Sequence, residues 1–386
     1  MNSATGAPNT GSKSIGPRLI GISPKDTFSG FQNTFFDAVE AQGASIIRIG
    51  VQLRLFRLKC LIMGFHPKKS EWGPRFSHLY HMSVMAFKMK SHFVQQRIRE
   101  RLGEVDAIYQ VGSLWDPVPP GTDKPFFIHV SYTTRMSVAK GGWRISSGKE
   151  QEFRLARERE LFEKARVVFT TTQNTRSSVI GEYGIPPDKV VAVNAGVSPP
   201  YDNLNPDRHP DYSSRKILFV GKGDYGKGLD TVLEAFKITR HAIPDAGLTI
   251  VGPNEFTAAL EGITFLGRIG DRNKVKELYY QHALFAMPSR FEPFGQVFIE
   301  AMSCHLPCIG TTRDAMPEII DHEKTGYLIE AGDHERLAEY FIRLLGDPEH
   351  ARKMGQAAYG KLTSTYTWPI VGQRIVNTMR EALAAY

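Results

Sequence analysis

The 386-residue chain reads as an α/β protein made of two doubly wound, Rossmann-like domains facing each other across a cleft, and three observations predict this. Short β-branched runs alternate with longer amphipathic runs along most of the length, the pattern of parallel strands covered by helices on both faces. The alternation breaks once, at 198–215 (SPPYDNLNPDRHPDYSSR), where Pro, Asp, Asn and Ser mark a linker. At 41% hydrophobic and 23% charged residues, the chain is long enough for two domains and too apolar for disorder.

Taken in order, residues 1–16 lack an apolar core and read as a flexible N-terminal tail. The first domain, 17–197, opens with strand RLIGIS, helix FQNTFFDAVEAQG and strand ASIIRIGV. After a basic helical excursion at 51–102 it continues through VDAIYQVG, PFFIHV, the helix EQEFRLARERELFEKA, VVFTTT and VVAVNAG. The second domain, 216–367, runs through KILFVG, LDTVLEAFKITR, GLTIVG, ITFLG, VKELYYQH, ALFAMPS, a helix from Gln296, PCIGT and GYLIEAGD. A last helical stretch occupies 368–386.

The chemistry concentrates at 288–309, PSRFEPFGQVFIEAMSCHLPCI, which reads as strand end, loop and helix N-terminus. Glu292 lies in the loop and Glu300 on the helix, roughly 12 Å apart if the helical rise held throughout. The backbone N–H groups near Phe294 and Gly295 open a helix whose dipole favours an anion.

A second loop, Gly221 to Gly228 (GKGDYGKG), leaves several readings open. It contains G-x-G-x-x-G between a strand and a helix, as a dinucleotide fingerprint does, although the acidic residue such sites need arrives late, at Glu255. It is also one residue short of a Walker A loop, with Gly228 in the place of the Mg²⁺-binding hydroxyl. An NAD(P)-dependent oxidoreductase or a phosphotransferase using this loop therefore stands as one reading.

The EPFG…EAM…LPC context, with its two glutamates, resembles the Glu-x7-Glu signature of retaining GT-B glycosyltransferases, in particular family 4 (group 1). The resemblance covers both halves and is strongest from Lys216 to Leu345. It implies a hexosyltransferase that moves a sugar from a UDP- or GDP-linked donor to a hydroxyl of a glycan or lipid-linked acceptor, with retention. The first domain then binds acceptor and the second binds donor.

Residue by residue, the resemblance implies that Glu292 and the amides of Phe294 and Gly295 hold the donor sugar and phosphates, and that Glu300 binds the ribose. Lys222 and Lys227 match the VGR…KG pattern that grips the diphosphate, with Lys in place of Arg at 222. Ser29 and Gly30 stand where the family has a Gly-Gly turn near phosphate or acceptor. His129, in an H-x-x-x-T-T setting, is implied to face the donor sugar, and Arg268 and Ile269 lie nearest the base. Thr312 to Met316 replace the Gly-rich turn usual before Pro317-Glu318. The last helix is implied to cross back to the first domain. A catalytically silent GT-B binding protein is the other alternative.

No cofactor and no metal is expected: the chain has no Asp-x-Asp pair, and Cys60, Cys304 and Cys308 form neither a metal-ligand spacing nor a disulfide framework. Cysteine usage and the lack of a membrane-length apolar run suggest a reducing, cytoplasmic location. Charge is uneven. Eleven Lys and Arg against Glu71 and Glu100 fall between Val51 and Leu102, so the rest of a chain of net charge +8 is close to neutral. Aromatic and aliphatic residues interleave with those cations, which suits an anionic membrane surface at the inner face or a lipid-linked acceptor. Nothing resembles a nucleic-acid-binding module, and no nucleic-acid partner is expected.

Overall fold

The computed structural model describes residues 16–24, 31–139, 148–222, 225–253 and 261–385. The expected tail at 1–16, apart from Gly16, and the expected Ser29-Gly30 turn lie outside the described residues.

Two six-stranded sheets, parallel throughout, carry the architecture. The first contains β1 (Arg18–Pro24), β2 (Ser45–Val51), β3 (Ala107–Val111), β4 (Phe126–Val130), β5 (Val167–Thr170) and β6 (Val190–Ala192), in the order β2-β1-β3-β4-β5-β6. The second contains β7 (Lys216–Val220), β8 (Gly247–Val251), β9 (Ile263–Gly267), β10 (Leu284–Ala286), β11 (Cys308–Thr311) and β12 (Gly326–Ile329), in the order β12-β11-β10-β7-β8-β9. Every residue of β3, β4, β5, β10 and β11 is buried, including the polar Gln110, His129, Thr170 and Thr311, which is why these strands read as largely apolar runs without alternation.

In both sheets the order reverses beside the opening strand. β1 has β2 on one side and β3 on the other; β7 has β8 on one side and β10 on the other. The loops that leave β7 and β10 therefore start as neighbours at the carboxyl edge, where sheets of this kind bind ligands.

The helix Trp368–Ala384 seals the first sheet. Gly372 lies so close to the helix Phe31–Glu40 that a Cβ there would sit 2.3 Å from the Ala38 carbonyl oxygen. Trp368 meets Phe35 edge-on, with ring centroids 5.1 Å apart. Val371, Ile375 and Met379 are fully buried along the same helix, each contributing about 1.5–3 kcal/mol relative to exposure.

The basic excursion folds as helices Arg54–Met63, Lys69–Ser77 and Val84–Arg99 around a small core of Phe56, Cys60, Tyr80 and Ala86. Its cations are not all surface charges: Lys90 is buried, its ammonium 4.0 Å from the centre of the Tyr80 ring. Its apolar residues are not all core. Leu55 is 85% and Ile62 68% exposed, with Leu58, Met63 and Phe65 also outward. Among the described residues no helix is long and apolar enough to cross a membrane.

Candidate functional site

The loops after β7 and β10 interlock. Gly228 has a left-handed φ of 75°, and a Cβ there would fall 2.1 Å from the Pro288 carbonyl oxygen, so only glycine permits the crossing. Arg290 clamps the same junction, pairing both Nη atoms with the Asp230 carboxylate at 2.8 and 2.7 Å and donating to the Tyr225 carbonyl at 2.6 Å.

This crossing brings Lys227 onto Glu292. The ammonium lies 2.8 Å from Glu292 Oε2 and 3.3 Å from the Phe291 carbonyl oxygen. Two residues thus far apart in sequence meet beneath the start of the helix Gln296–Ser303. Gly295 opens that helix with φ 93°, again a conformation that favours glycine, while Phe294 is buried behind it. Because the helix begins only at Gln296, the stretch from Glu292 to Gly295 does not follow the helical rise, and the simple 12 Å estimate does not apply to it.

Glu300 follows one turn into the helix and is 7% exposed. Burial pushes its carboxyl pKa up to about 7, against the opposing pull of Arg272, whose Nη2 lies 2.6 Å from Oε1. Arg272 is the first residue of the helix Arg272–Tyr280 and is half exposed, so it links the buried carboxylate to the open side of the loop after β9. Arg268 lies exposed on that loop, and Ile269 is partly buried against the core. Lys222 is exposed at the end of β7, next to Gly223 and Asp224, which lie outside the described residues.

The reading of His129 is corrected. Its ring is fully buried at the end of β4, within hydrogen-bond distance of Tyr109 Oη at one nitrogen and Thr171 Oγ1 at the other, 3.2 Å each. Phe35 packs against it at 4.0 Å, and burial lowers its pKa to about 3, so it is neutral throughout the physiological range. Both ring nitrogens are engaged inside the sheet. The ring has no exposed edge to turn toward a sugar.

Tyr132, three residues on, is the aromatic residue that reaches across. It meets Phe291 of the second domain edge-on at 5.2 Å, and burial together with the nearby Asp314 carboxylate raises its phenol pKa. Asp314 in turn accepts the Glu292 amide hydrogen at 3.0 Å, so the stretch that departs from the Gly-rich turn braces Glu292. Glu318 ties the two domains together: its carboxylate accepts the amides of Gln173 and Asn174 at 2.7 Å each, at the start of the helix Gln173–Gly181. Tyr132 and Arg272 were missed from the sequence, and Asp314 and Glu318 were seen there only as part of a departure from the Gly-rich turn, without these roles. Only Arg272 carried a local signal, being next to the helix-capping Asp271 in the loop already suspected of base contact.

A cavity of about 1040 Å³ lined by Lys124, Arg166 and Lys189 opens at the opposite, amino-terminal edge of the first sheet and includes none of these groups.

Residues 204–361 match the model of the family described as Glycosyl transferases group 1. A GDP-mannose-dependent monoacylated alpha-(1-6)-phosphatidylinositol monomannoside mannosyltransferase of Corynebacterium glutamicum is 31% identical over 169 residues, 40% of this chain and 44% of that protein. An N-acetyl-alpha-D-glucosaminyl L-malate synthase of Bacillus anthracis is 39% identical over 157 residues, 38% of this chain and 40% of that protein. The matches thus span less than half the length of either relative. The solved sucrose-phosphate synthase of Thermosynechococcus elongatus superposes over 96% of this chain and 100% of its own, with a TM-score of 0.67 at 19% identity, a likeness of fold.

Proposed function

We propose that the chain, whose residues 204–361 match the model of the glycosyl transferases group 1 family, moves a hexose-type sugar from a UDP- or GDP-linked donor to a hydroxyl. The acceptor is a glycan or a lipid-linked molecule, the anomeric configuration is retained, and neither metal nor cofactor takes part. Relatives named as a mannosyltransferase and as a glucosaminyl malate synthase support a nucleotide-sugar chemistry.

One observation carries the reading: Lys227 and Glu292 converge at 2.8 Å from two loops at the strand-order reversal, beside a helix opened by Gly295. As the glycosidic bond lengthens, positive charge grows on the sugar and negative charge on the diphosphate. Lys227, Lys222 and the amides of Phe294 and Gly295 stabilise the phosphates, and a carboxylate at Glu292 orients sugar hydroxyls. Glu300, held by Arg272, accepts hydrogen bonds from the ribose diol. Arg268 and Ile269 lie toward the base. Asp314 keeps the Glu292 backbone in place, and Tyr132 contributes the first domain's side of the cleft.

A thermal-shift screen with UDP, GDP, NAD, NADP and ATP tests this directly. Stabilisation by UDP or GDP is expected, and stabilisation by NAD, NADP or ATP alone would favour the oxidoreductase or phosphotransferase alternative. Nucleotide binding without transfer from any nucleotide sugar would leave a silent binding protein.

The exposed Leu55, Leu58 and Ile62 beside exposed Arg54, Arg57 and Lys59 support peripheral contact of this excursion with an anionic membrane, at the inner face in a cytoplasmic location.

A further inference from the structure

Glu292 is held by its backbone as well as through Lys227. Its amide donates to Asp314 Oδ2 at 3.0 Å, and its carbonyl oxygen accepts from the Ala315 amide at 3.5 Å. Both backbone polar groups of Glu292 are thus engaged by the stretch 312–319, between β11 and β12. Asp314 is a costly residue in that place. Its φ of 51° lies in the left-handed region, which favours glycine and admits Asp only as a single residue. What the side chain holds accounts for its standing there against that preference.

The same stretch touches the first domain at two points. Glu318 accepts the Gln173 and Asn174 amides, and Asp314 stands beside Tyr132, whose ring packs edge-on against Phe291 at 5.2 Å. Tyr132 sits on a rigid mount: the Ser131 carbonyl accepts from Thr175 Oγ1 at 3.0 Å, Thr133 is fully buried, and the Thr134 amide donates to Glu158 at 2.8 Å. The ring therefore moves with the first domain as one body. Its Oη is buried and forms no hydrogen bond to any described residue, while burial and the neighbouring Asp314 carboxylate raise the phenol pKa. A slight approach of the two domains brings this donor onto the carboxylate and removes the cost of a buried hydroxyl left unbonded.

We propose that Tyr132 is a positioning residue for Glu292, acting across the cleft through Asp314, an inference that rests on the transferase reading above. When the domains draw together over the donor, Tyr132 Oη donates to the Asp314 carboxylate, which has lone pairs enough to keep the Glu292 amide as well. Bonded from both sides, Asp314 fixes the peptide of Glu292 and so the direction of its carboxylate. A phenol does this without adding a charge beside the Lys227–Glu292 pair. The donor sugar then meets a correctly aimed Glu292 only when the first domain is in place.

The test is a double-mutant cycle on the full chain with Tyr132→Phe, which keeps the ring against Phe291, and Asp314→Gly, which suits the left-handed backbone. Donor cleavage without acceptor is measured on epimer pairs: UDP-glucose with UDP-galactose, UDP-N-acetylglucosamine with UDP-N-acetylgalactosamine, and GDP-mannose with GDP-glucose. Tyr132→Phe is expected to lower kcat by about tenfold and to narrow the preference between epimers, with affinity for the bare nucleoside diphosphate unchanged. Asp314→Gly is expected to do the same, and adding Tyr132→Phe to it should cost nothing further. Asp314→Asn, which keeps an acceptor and tolerates the backbone, should recover part of the turnover. Full activity in Tyr132→Phe would overturn the proposal. So would an equal loss from Tyr132→Phe in the Asp314→Gly chain, which would mean that the hydroxyl touches substrate directly, or a loss of nucleotide affinity in step with turnover, which would mean a structural role. A parent chain that cleaves none of the six donors refutes the transferase reading and this role with it, whereas an active parent with an additive cycle refutes this role alone.

Discussion

Replacing Glu300 with Gln should move stability and binding in opposite directions. The Glu300 carboxyl is 7% exposed, and burial pushes its pKa from 4.5 up to about 7 even with Arg272 at 2.6 Å. The folded state therefore disfavours the ionised form. Below about pH 4.5 the group is neutral folded and unfolded and has no effect; the penalty grows as pH rises and is complete above about pH 7, at about 3 kcal/mol from 1.36 kcal/mol per decade. Glu300→Gln keeps the size and removes the ionisation, and the half-exposed Arg272 it leaves behind is readily solvated. The variant should match the parent at pH 4.5 and exceed it by about 3 kcal/mol at pH 8. The same change removes a charge-assisted acceptor from the ribose, weakening nucleoside diphosphate binding by about 1.5–3 kcal/mol. Urea denaturation from pH 4.5 to 8.5 and calorimetric titration at pH 8 measure the two effects. A stability difference that does not change with pH, or unchanged nucleotide affinity, would refute the reasoning.

Four further changes follow from the same geometry. Lys227→Ala should lower turnover by about 10² or more with the fold intact, since it removes one group stabilising the leaving diphosphate; steady-state kinetics beside circular dichroism check this. Glu292→Gln should leave affinity for the bare nucleotide unchanged while reducing turnover and discrimination between sugar epimers, as measured with paired epimeric donors. Glu318→Ala removes the acceptor for the Gln173 and Asn174 amides and should loosen the domains, seen as a larger radius of gyration in small-angle scattering; an unchanged radius would rule out a joining role. Arg54→Gln, Arg57→Gln and Lys59→Gln together should weaken flotation with anionic vesicles by about 1 kcal/mol per charge and flatten its salt dependence.

The parallel sheets were legible because buried parallel strands are apolar on both faces, and the start of the Gln296 helix was legible from a Gly-rich turn followed by apolar residues at helical spacing. The meeting of Lys227 with Glu292 followed from the strand order, which places the β7 and β10 loops side by side. His129 was misread for the same reason that its strand was found: when every residue of β4 is buried, no alternation tells which side chain faces the cleft. Lys90 was counted among the surface cations because a helix with mixed charges and aromatics does not announce which turn packs on Tyr80. Asp314 and Glu318 were noticed only as a departure from a turn pattern. Their partners, the Glu292 amide and the start of a helix in the other domain, are fixed by tertiary packing that local sequence does not encode.

Incubation of the chain with α-linked UDP- and GDP-hexoses, followed by proton NMR of the released sugar, bears most directly on a split site with sugar at Glu292 and ribose at Glu300. Without acceptor, slow hydrolysis is expected to release nucleoside diphosphate and the α anomer first, and to fall strongly in Lys227→Ala and Glu292→Gln. Release of the β anomer first would contradict retention, and no cleavage of any nucleotide sugar, with NAD or ATP bound instead, would contradict the transferase itself.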